Sequence, residues 1–169
     1  YKFQIMDKIL APLRQRYEFI FIDCPPSFNF VTLNALYASD YYLIPTRLDE
    51  LSTYGLEAII KRVNDMNDLF RGQVADYRPV SLAGIVPNSV RLYRQGPVAS
   101  QVNILERLCT GMGTDVFPVY VTEGEGIPTA VQGGFPVYGL TNSSKARDQA
   151  GEMLEVLREL LDRVTGGAS

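Results

Sequence analysis

Three observations on this sequence predict an α/β fold with a mostly parallel sheet flanked by helices. Short apolar runs alternate with longer stretches of helical periodicity along the 169 residues, as in strands joined by crossover helices. The run EFIFID (18–23) is apolar at every position from Phe19 to Ile22, the composition of a strand covered on both faces. Polar residues close the strand-like runs at Asp23, Thr46 and Asn88, and ligands of parallel sheets bind at the carboxyl ends of the strands.

The elements follow in order. Met6, Ile9, Leu10 and Leu13 fall at helical spacing and predict an amphipathic helix over 2–16. The strand 18–23 comes next, then a helix over 28–38. YYLIPT (41–46) is a second strand, closed by Pro45, which has no N–H for a ladder. Ser52 is placed to cap the next helix, whose core stripe is Leu56, Ile59, Ile60, Val63, Met66 and Phe70. VSLAGIVPN (80–88) is a third strand. A helix over 97–110 presents Val98, Val102, Leu105 and Leu108 on one face. VFPVYV (116–121) is a fourth strand, with Pro118 putting it near an edge. Ala150, Met153, Leu154, Leu157, Leu161 and Val164 mark a closing helix capped near Ser143 or Ser144, and TGGAS (165–169) is a flexible tail.

Composition narrows the chemistry. Hydrophobic residues make up 46% and charged residues 21% of the chain, the balance of a globular domain with a real core. The net charge of −3 means that any nucleic-acid contact needs a local basic face. There is no histidine, which excludes His-based triads and His-containing metal sites. Cys24 and Cys109 have no metal or disulfide spacing and suit a reducing, cytosolic setting. No apolar run reaches the roughly 18 to 20 residues that cross a bilayer. The chain opens without methionine, already inside a helical pattern, and is expected to be the tail of something longer. No repeat, low-complexity tract or interdomain linker is visible, so 1–169 reads as part of a single domain.

Asp23 carries the sharpest chemistry. A carboxylate at the end of a central strand can hold Mg²⁺ beside a bound phosphate; it can equally accept a hydrogen bond from a backbone amide at a strand end. Pro25 and Pro26 fix their own φ and bias the residue before each away from helix. The turn after Asp23 is therefore stiff.

The string FIFIDCPPSFNFVTLNAL closely resembles the Walker B and switch II segment of ParA/Soj-type partition ATPases, the deviant-Walker P-loop group that also contains MinD. Thr32, Asn34, Ala35 and Leu36 match that family's T-x-N-A-L pattern. ASDYYLIPT is similar to its next strand, followed by an interface segment here marked by Ser52 and Gly55. LAGIVPNSV resembles the strand whose terminal asparagine reads the adenine base. GGFPVYGLTNSSKARDQAGEMLEVLREL resembles the family ending. The match runs from residue 17 to 163 through four ordered motifs.

The resemblance implies a P-loop NTPase of the deviant Walker type whose cofactors are ATP and Mg²⁺. Asp23 would hold the Mg²⁺, and Pro25, Pro26 and Ser27 would form switch II. Asn88 would contact the base, unless it serves only to turn the chain; Glu123 and Pro128 would line the base pocket with Ile127. Non-specific DNA would be held by Arg91 and Arg94, which flank Tyr93. Lys145, Arg147, Arg158 and Arg163 on the last helix are weaker candidates, diluted by Glu152, Glu155 and Glu159. The implied partners are a second copy in the ATP-bound homodimer, a ParB-like activator and DNA, in a nucleoid-associated, cytoplasmic setting.

One departure matters. Neither G-x-x-x-x-G-K-[ST] nor K-G-G-x-x-K-[ST] occurs in the chain. The phosphate loop and its strand, together with the switch I aspartate, would precede residue 1. The chain is thus expected to be the C-terminal portion of such an ATPase, inactive alone, with no catalytic residue assigned. Two alternatives stand beside it. A MinD-like membrane-positioning ATPase would show Asp-x-Pro-x-Gly where this chain has Asp-Cys-Pro-Pro-Ser, and would end in a basic amphipathic helix, so no membrane partner is expected. A chain natively without the loop would be a non-catalytic interaction module.

Overall fold

The computed structural model describes residues 2–25, 27–94, 96–140 and 143–166, with the Lys2 side chain outside that description. Seven α-helices are described: α1 (Ile5–Arg14), α2 (Phe30–Tyr37), α3 (Glu50–Tyr54), α4 (Leu56–Gln73), α5 (Ala99–Met112), α6 (Gly126–Gly133) and α7 (Ser144–Gly166). Four strands are described with them: β1 (Tyr41–Arg47), β2 (Ser81–Asn88), β3 (Leu92–Tyr93) and β4 (Gly96–Pro97). β1 and β2 are hydrogen-bonded neighbours, and β3 pairs antiparallel with β4. The predicted α/β architecture with a parallel sheet is present, and the β3–β4 hairpin is an addition to it.

The chain packs as two compact units. One holds residues up to Tyr42 together with Ala58–Leu82; the other holds Leu43–Glu57 together with residues from Ala83 onward. The core of the first unit is Leu36, Val63, Met66, Phe70 and Val80. Aromatic rings extend it: Tyr37 meets Phe70 edge-on at 5.0 Å between centroids and stacks on Tyr77 at 5.2 Å. Asn67 is buried there and ties the start of β2 to α4. Its amide donates to the Val80 carbonyl at 2.9 Å, and its Oδ1 accepts from the Val80 N–H at 3.1 Å and the Tyr77 hydroxyl at 2.8 Å. Burial pushes the Tyr77 phenol above its ordinary pKa.

Two expected strands are not formed as such. Residues 18–23 have no strand pairing among the described residues, and Phe21 is 71% exposed. The apolar composition suits a strand covered on both faces, but a strand exists only as one side of a ladder, and nothing described pairs with this run. Residues 116–121 do lie beside β2, through parallel bridges Ile85–Val116 and Val90–Thr122. Phe117 donates to the Ile85 carbonyl and Val121 to that of Pro87. Between the bridges the register slips by one residue, around Pro118, whose missing N–H interrupts the ladder.

The second unit is built on Val86, Phe117, Val121 and Val156. The expected face of α5 is turned inward, with Leu108 buried and Val98, Val102 and Leu105 half-buried, whereas α7 departs from its expected stripe. On α5 the buried positions are Gln101, Ile104 and Leu108. On α7 they are Ala146, Gln149 and Val156, whereas Met153, Leu154 and Leu157 are partly exposed. α7 begins where predicted, with the Ser143 hydroxyl accepting from the Ala146 N–H, but it continues through Thr165 and Gly166 of the expected tail. The rest of the tail, 167–169, lies outside the described residues. The cap of α3 is Asp49 rather than Ser52: its carboxylate accepts from the Ser52 N–H at 2.8 Å.

Arg163 is placed differently from a surface cation. Its guanidinium donates to the carbonyls of Ala83 (3.1 Å), Asp115 (3.3 Å) and Val116 (3.3 Å), pairs with Glu159 at 2.7 Å and lies 4.2 Å above the Phe117 ring. Gly84 makes room for it, at φ 152°. A Cβ there would come within 2.6 Å of the guanidinium and 2.8 Å of the Asp115 carbonyl.

Candidate functional site

In the first unit the candidate site is the turn from Asp23 into α2. Asp23 is exposed, and among the described residues nothing donates a hydrogen bond to its carboxylate. The backbone-amide partner open to it at a strand end is therefore not taken here. Its neighbour Cys24 has a raised thiol pKa, from burial first and the Asp23 charge second. Pro26 lies outside the described residues. The rest of the turn is locked locally. The Ser27 N–H donates to the Pro25 carbonyl at 2.7 Å, and the Thr32 hydroxyl donates to the Ser27 carbonyl at 2.7 Å. Asn29 Nδ2 donates to the Ser27 hydroxyl at 2.9 Å.

Asn29 is a determinant that the sequence reading missed. Its Oδ1 accepts from the N–H groups of Val31 and Thr32 and so caps α2. An asparagine directly before an apolar helical run is a helix-start signal and could have been found. Asn34 is buried; it accepts from the Ile5 N–H at 3.2 Å and donates to the Phe30 carbonyl at 3.0 Å. The T-x-N-A-L residues thus fix the turn and its helix: a hydroxyl on Ser27, an amide holding α1, and Ala35 and Leu36 in the core.

Asp23 fits one familiar mode of Mg²⁺ binding. No group of three potential metal-ligating side chains occurs among the described residues. Mg²⁺ is held by one or two carboxylates, with water and substrate phosphates completing the octahedron. A single exposed carboxylate free of protein donors can play that part.

In the second unit the candidate base residues are Asn88 at the end of β2, Glu123 just after the segment paired beside it, and Pro128 in α6. Asn88 is the last residue of β2, and its Oδ1 accepts from the Ser89 N–H at 2.8 Å, leaving Nδ2 as an available donor. Ser89 sits at φ 54°, a left-handed conformation rare for a residue other than glycine. Val90 then turns back into the core, pairs with Thr122 and accepts from the Glu123 N–H at 2.9 Å. The 88–91 turn therefore runs alongside 121–123. The exposed Glu123 leads on to Gly126, the start of α6, and to the exposed Pro128 within it. Thr46, also singled out as a strand-end residue, is buried in β1 and donates to the Arg47 carbonyl.

Arg91 precedes β3 and Arg94 lies in the turn between β3 and β4, and both are exposed. Gln101 of α5 fixes the start of the hairpin by accepting from the Arg91 N–H at 2.7 Å. The Arg94 guanidinium lies 5.4 Å from the centre of the Tyr93 ring. Residues 88–98 contain no acidic side chain, so the hairpin is locally cationic on an acidic chain. On α7 the positions divide: Lys145, Arg147 and Arg158 are exposed, whereas Arg163 is engaged inside the unit. Of the acids expected to dilute that helix, Glu159 holds Arg163 and Glu152 accepts from Thr122.

A family model described as an AAA domain matches residues 2–75. The chromosome-partitioning ATPase Soj of Treponema pallidum is 28% identical over 132 residues, covering 78% of this chain and 48% of that protein. The chromosome partitioning protein ParA of Myxococcus xanthus is 40% identical over 63 residues, 37% of this chain and 22% of that one. Among solved structures, the ATP complex of a Cyanothece McdA variant superposes with TM-score 0.73 at 17% identity, covering 92% of this chain and 57% of the other. The chain spans less than half the length of both curated relatives named.

Proposed function

We propose, from the premise that this chain belongs to the ParA/Soj-type partition ATPase family, that it is the C-terminal part of one ATPase domain. The complete protein then hydrolyses ATP as a nucleotide-switched dimer and partitions cargo on DNA. The observation that carries this reading is the Asp23 turn: an exposed carboxylate without a protein donor, followed by a loop locked onto the α2 cap, inside the segment that the family model matches.

In this reading Asp23 holds Mg²⁺, directly or through water, and the ion when bound neutralises charge on the phosphate oxygens. Pro25, Pro26 and Ser27 form the switch beside it. The Ser27 carbonyl on the Thr32 hydroxyl and Asn29 on the Ser27 hydroxyl couple that switch to the start of α2. Asn88 donates its free Nδ2 to an acceptor on the base, and Glu123 and Pro128 border the same pocket. Arg91 and Arg94 attract DNA phosphates, a contact without sequence preference that weakens steeply with salt. A ParB-like activator belongs to the same reading.

No described helix is long and apolar enough to cross a membrane. Binding of the complete protein to double-stranded DNA and to anionic liposomes, with and without ATP, tests the proposal. ATP-dependent DNA binding that Arg91→Ala and Arg94→Ala weaken supports it. ATP-dependent liposome binding without DNA binding points to a membrane-positioning ATPase instead. Absence of any ATP response overturns the switch.

A further inference from the structure

Two polar side chains of α7 turn away from solvent and grip the backbone of 122–127. Gln149 is 3% exposed. Its Nε2 donates to the Thr122 carbonyl at 2.8 Å, while its Oε1 accepts from the Ile127 N–H at 3.1 Å. The Glu152 carboxylate accepts from the Thr122 N–H at 2.8 Å and from the Thr122 hydroxyl at 2.8 and 2.9 Å. Every polar group of Thr122 is thus held from the α7 side, and hydrogen bonds to an ionised acceptor are the stronger kind. From the opposite side, Val90 pairs with Thr122 and accepts from the Glu123 N–H.

The glycines of the segment let α7 come this close. A Cβ on Gly126 would lie 2.6 Å from Ala146 Cα, and one on Gly124 would lie 3.2 Å from Gln149 Nε2. The segment is therefore clamped between the turn that carries Asn88 and the helix that carries Gln149 and Glu152. A connecting loop alone has no need of two side chains from a helix some thirty residues downstream, whereas a loop that presents side chains to a ligand gains affinity by being ordered beforehand.

We propose that Gln149 and Glu152 are positioning residues for the base of the bound nucleotide. They fix Thr122 and Ile127, and hence the course of the backbone that carries Glu123 and leads to Pro128. This rests on the base pocket of the proposed function. It predicts a defect confined to the base, because the phosphates would be held elsewhere.

The test compares ATP with inorganic tripolyphosphate, which has no base, as ligands of the complete natural protein that carries this chain. Glu152→Gln is nearly isosteric but loses the ionised acceptor; Thr122→Val loses the hydroxyl, and Thr122→Ser keeps it. Glu152→Gln and Thr122→Val are expected to weaken ATP about tenfold, the loss of roughly one charge-assisted hydrogen bond. Tripolyphosphate binding stays within about twofold of wild type, and Thr122→Ser retains ATP affinity. Equal weakening of both ligands, or no change in either, overturns the positioning role, since a merely structural defect does not single out the base. Wild-type protein that binds ATP no more tightly than tripolyphosphate lacks the base pocket itself, which overturns the underlying reading and this inference with it.

Discussion

Arg163 offers a sharp division between a residue that holds the fold and one that meets DNA. Sequence places it with the cations of the closing helix; the structure turns its guanidinium inward onto three carbonyls, Glu159 and the Phe117 ring. Arg163→Ala removes hydrogen bonds from a charged donor, and the carbonyls of Ala83 and Val116 lose a partner. Three such bonds at about 1 kcal/mol each after solvent compensation, with about 1 kcal/mol for the partly desolvated cation–π contact, give about 4 kcal/mol as an upper figure. The Glu159 pair adds a few tenths, as an i,i+4 pair on a helix. Relaxation and water entry reduce the total, so about 2 to 3 kcal/mol of destabilisation is expected. Urea unfolding monitored by circular dichroism measures it. Arg163→Lys keeps the charge but not the planar fork, and is expected to recover less than half. Either of two results refutes the reasoning: a loss below about 0.5 kcal/mol, the range of ordinary surface substitutions, or a fall in the salt dependence of DNA binding while stability stays at the wild-type value.

Other predictions follow from the same network and from the first unit. Gly84→Ala sets a Cβ against Arg163 and the Asp115 carbonyl at a left-handed φ; about 2 to 4 kcal/mol is lost in urea unfolding. Asn67→Ala strips the Val80 N–H and carbonyl and the Tyr77 hydroxyl of their shared partner, costing about 2 to 4 kcal/mol by the same assay. Asp23→Asn removes the charge that helps hold the Cys24 thiol up, so iodoacetamide alkylation at Cys24 quickens at pH 8, as peptide mass spectrometry measures. Asp49 has a carboxyl pKa lowered chiefly by the Ser52 N–H and, after it, the Ser52 hydroxyl. A folded-state pKa below the unfolded one gives stability that is present above the unfolded value and lost as pH falls through the folded one. Asp49→Asn, which can still cap, flattens that acid slope in pH-dependent unfolding; an unchanged slope counts against the assignment.

Much of the frame was legible because it depends on local pattern. β1 and β2 coincide with apolar runs, and in β2 the run Ala83–Pro87 is buried throughout. Ser143 caps α7 as a serine ahead of a periodic stretch should. What escaped depends on partners remote in the chain. Residues 18–23 have the composition of a buried strand, yet composition cannot supply the neighbour that makes a ladder. Pro118 marked an edge, but the register slip beside β2 is a property of the pair. The clearest case is α7, where apolar periodicity favoured Leu154 and Leu157 over Gln149, Glu152 and Arg163. Those three lie on the inward side because each serves a backbone group in another segment. The hydrogen bonds of long polar side chains do not register in a hydrophobic pattern.

The candidate site divides in the same way. Asp23 and the rigid turn after it could be read from the chain, as could Asn88 at the end of β2. Asn29, which anchors that turn, was open to the same reading as an asparagine ahead of an apolar helical run, whereas the left-handed Ser89 beside Asn88 is a property of the folded chain.

The central claim is that Asp23 serves Mg²⁺-dependent ATP hydrolysis in the complete protein, and phosphate release from ATP tests it most directly. The account predicts hydrolysis that requires Mg²⁺ and falls at least about a hundredfold in Asp23→Ala, as loss of electrostatic stabilisation at a phosphoryl group should produce, with the circular dichroism spectrum unchanged. Hydrolysis that persists in Asp23→Ala, or complete wild-type protein that never hydrolyses ATP, contradicts it.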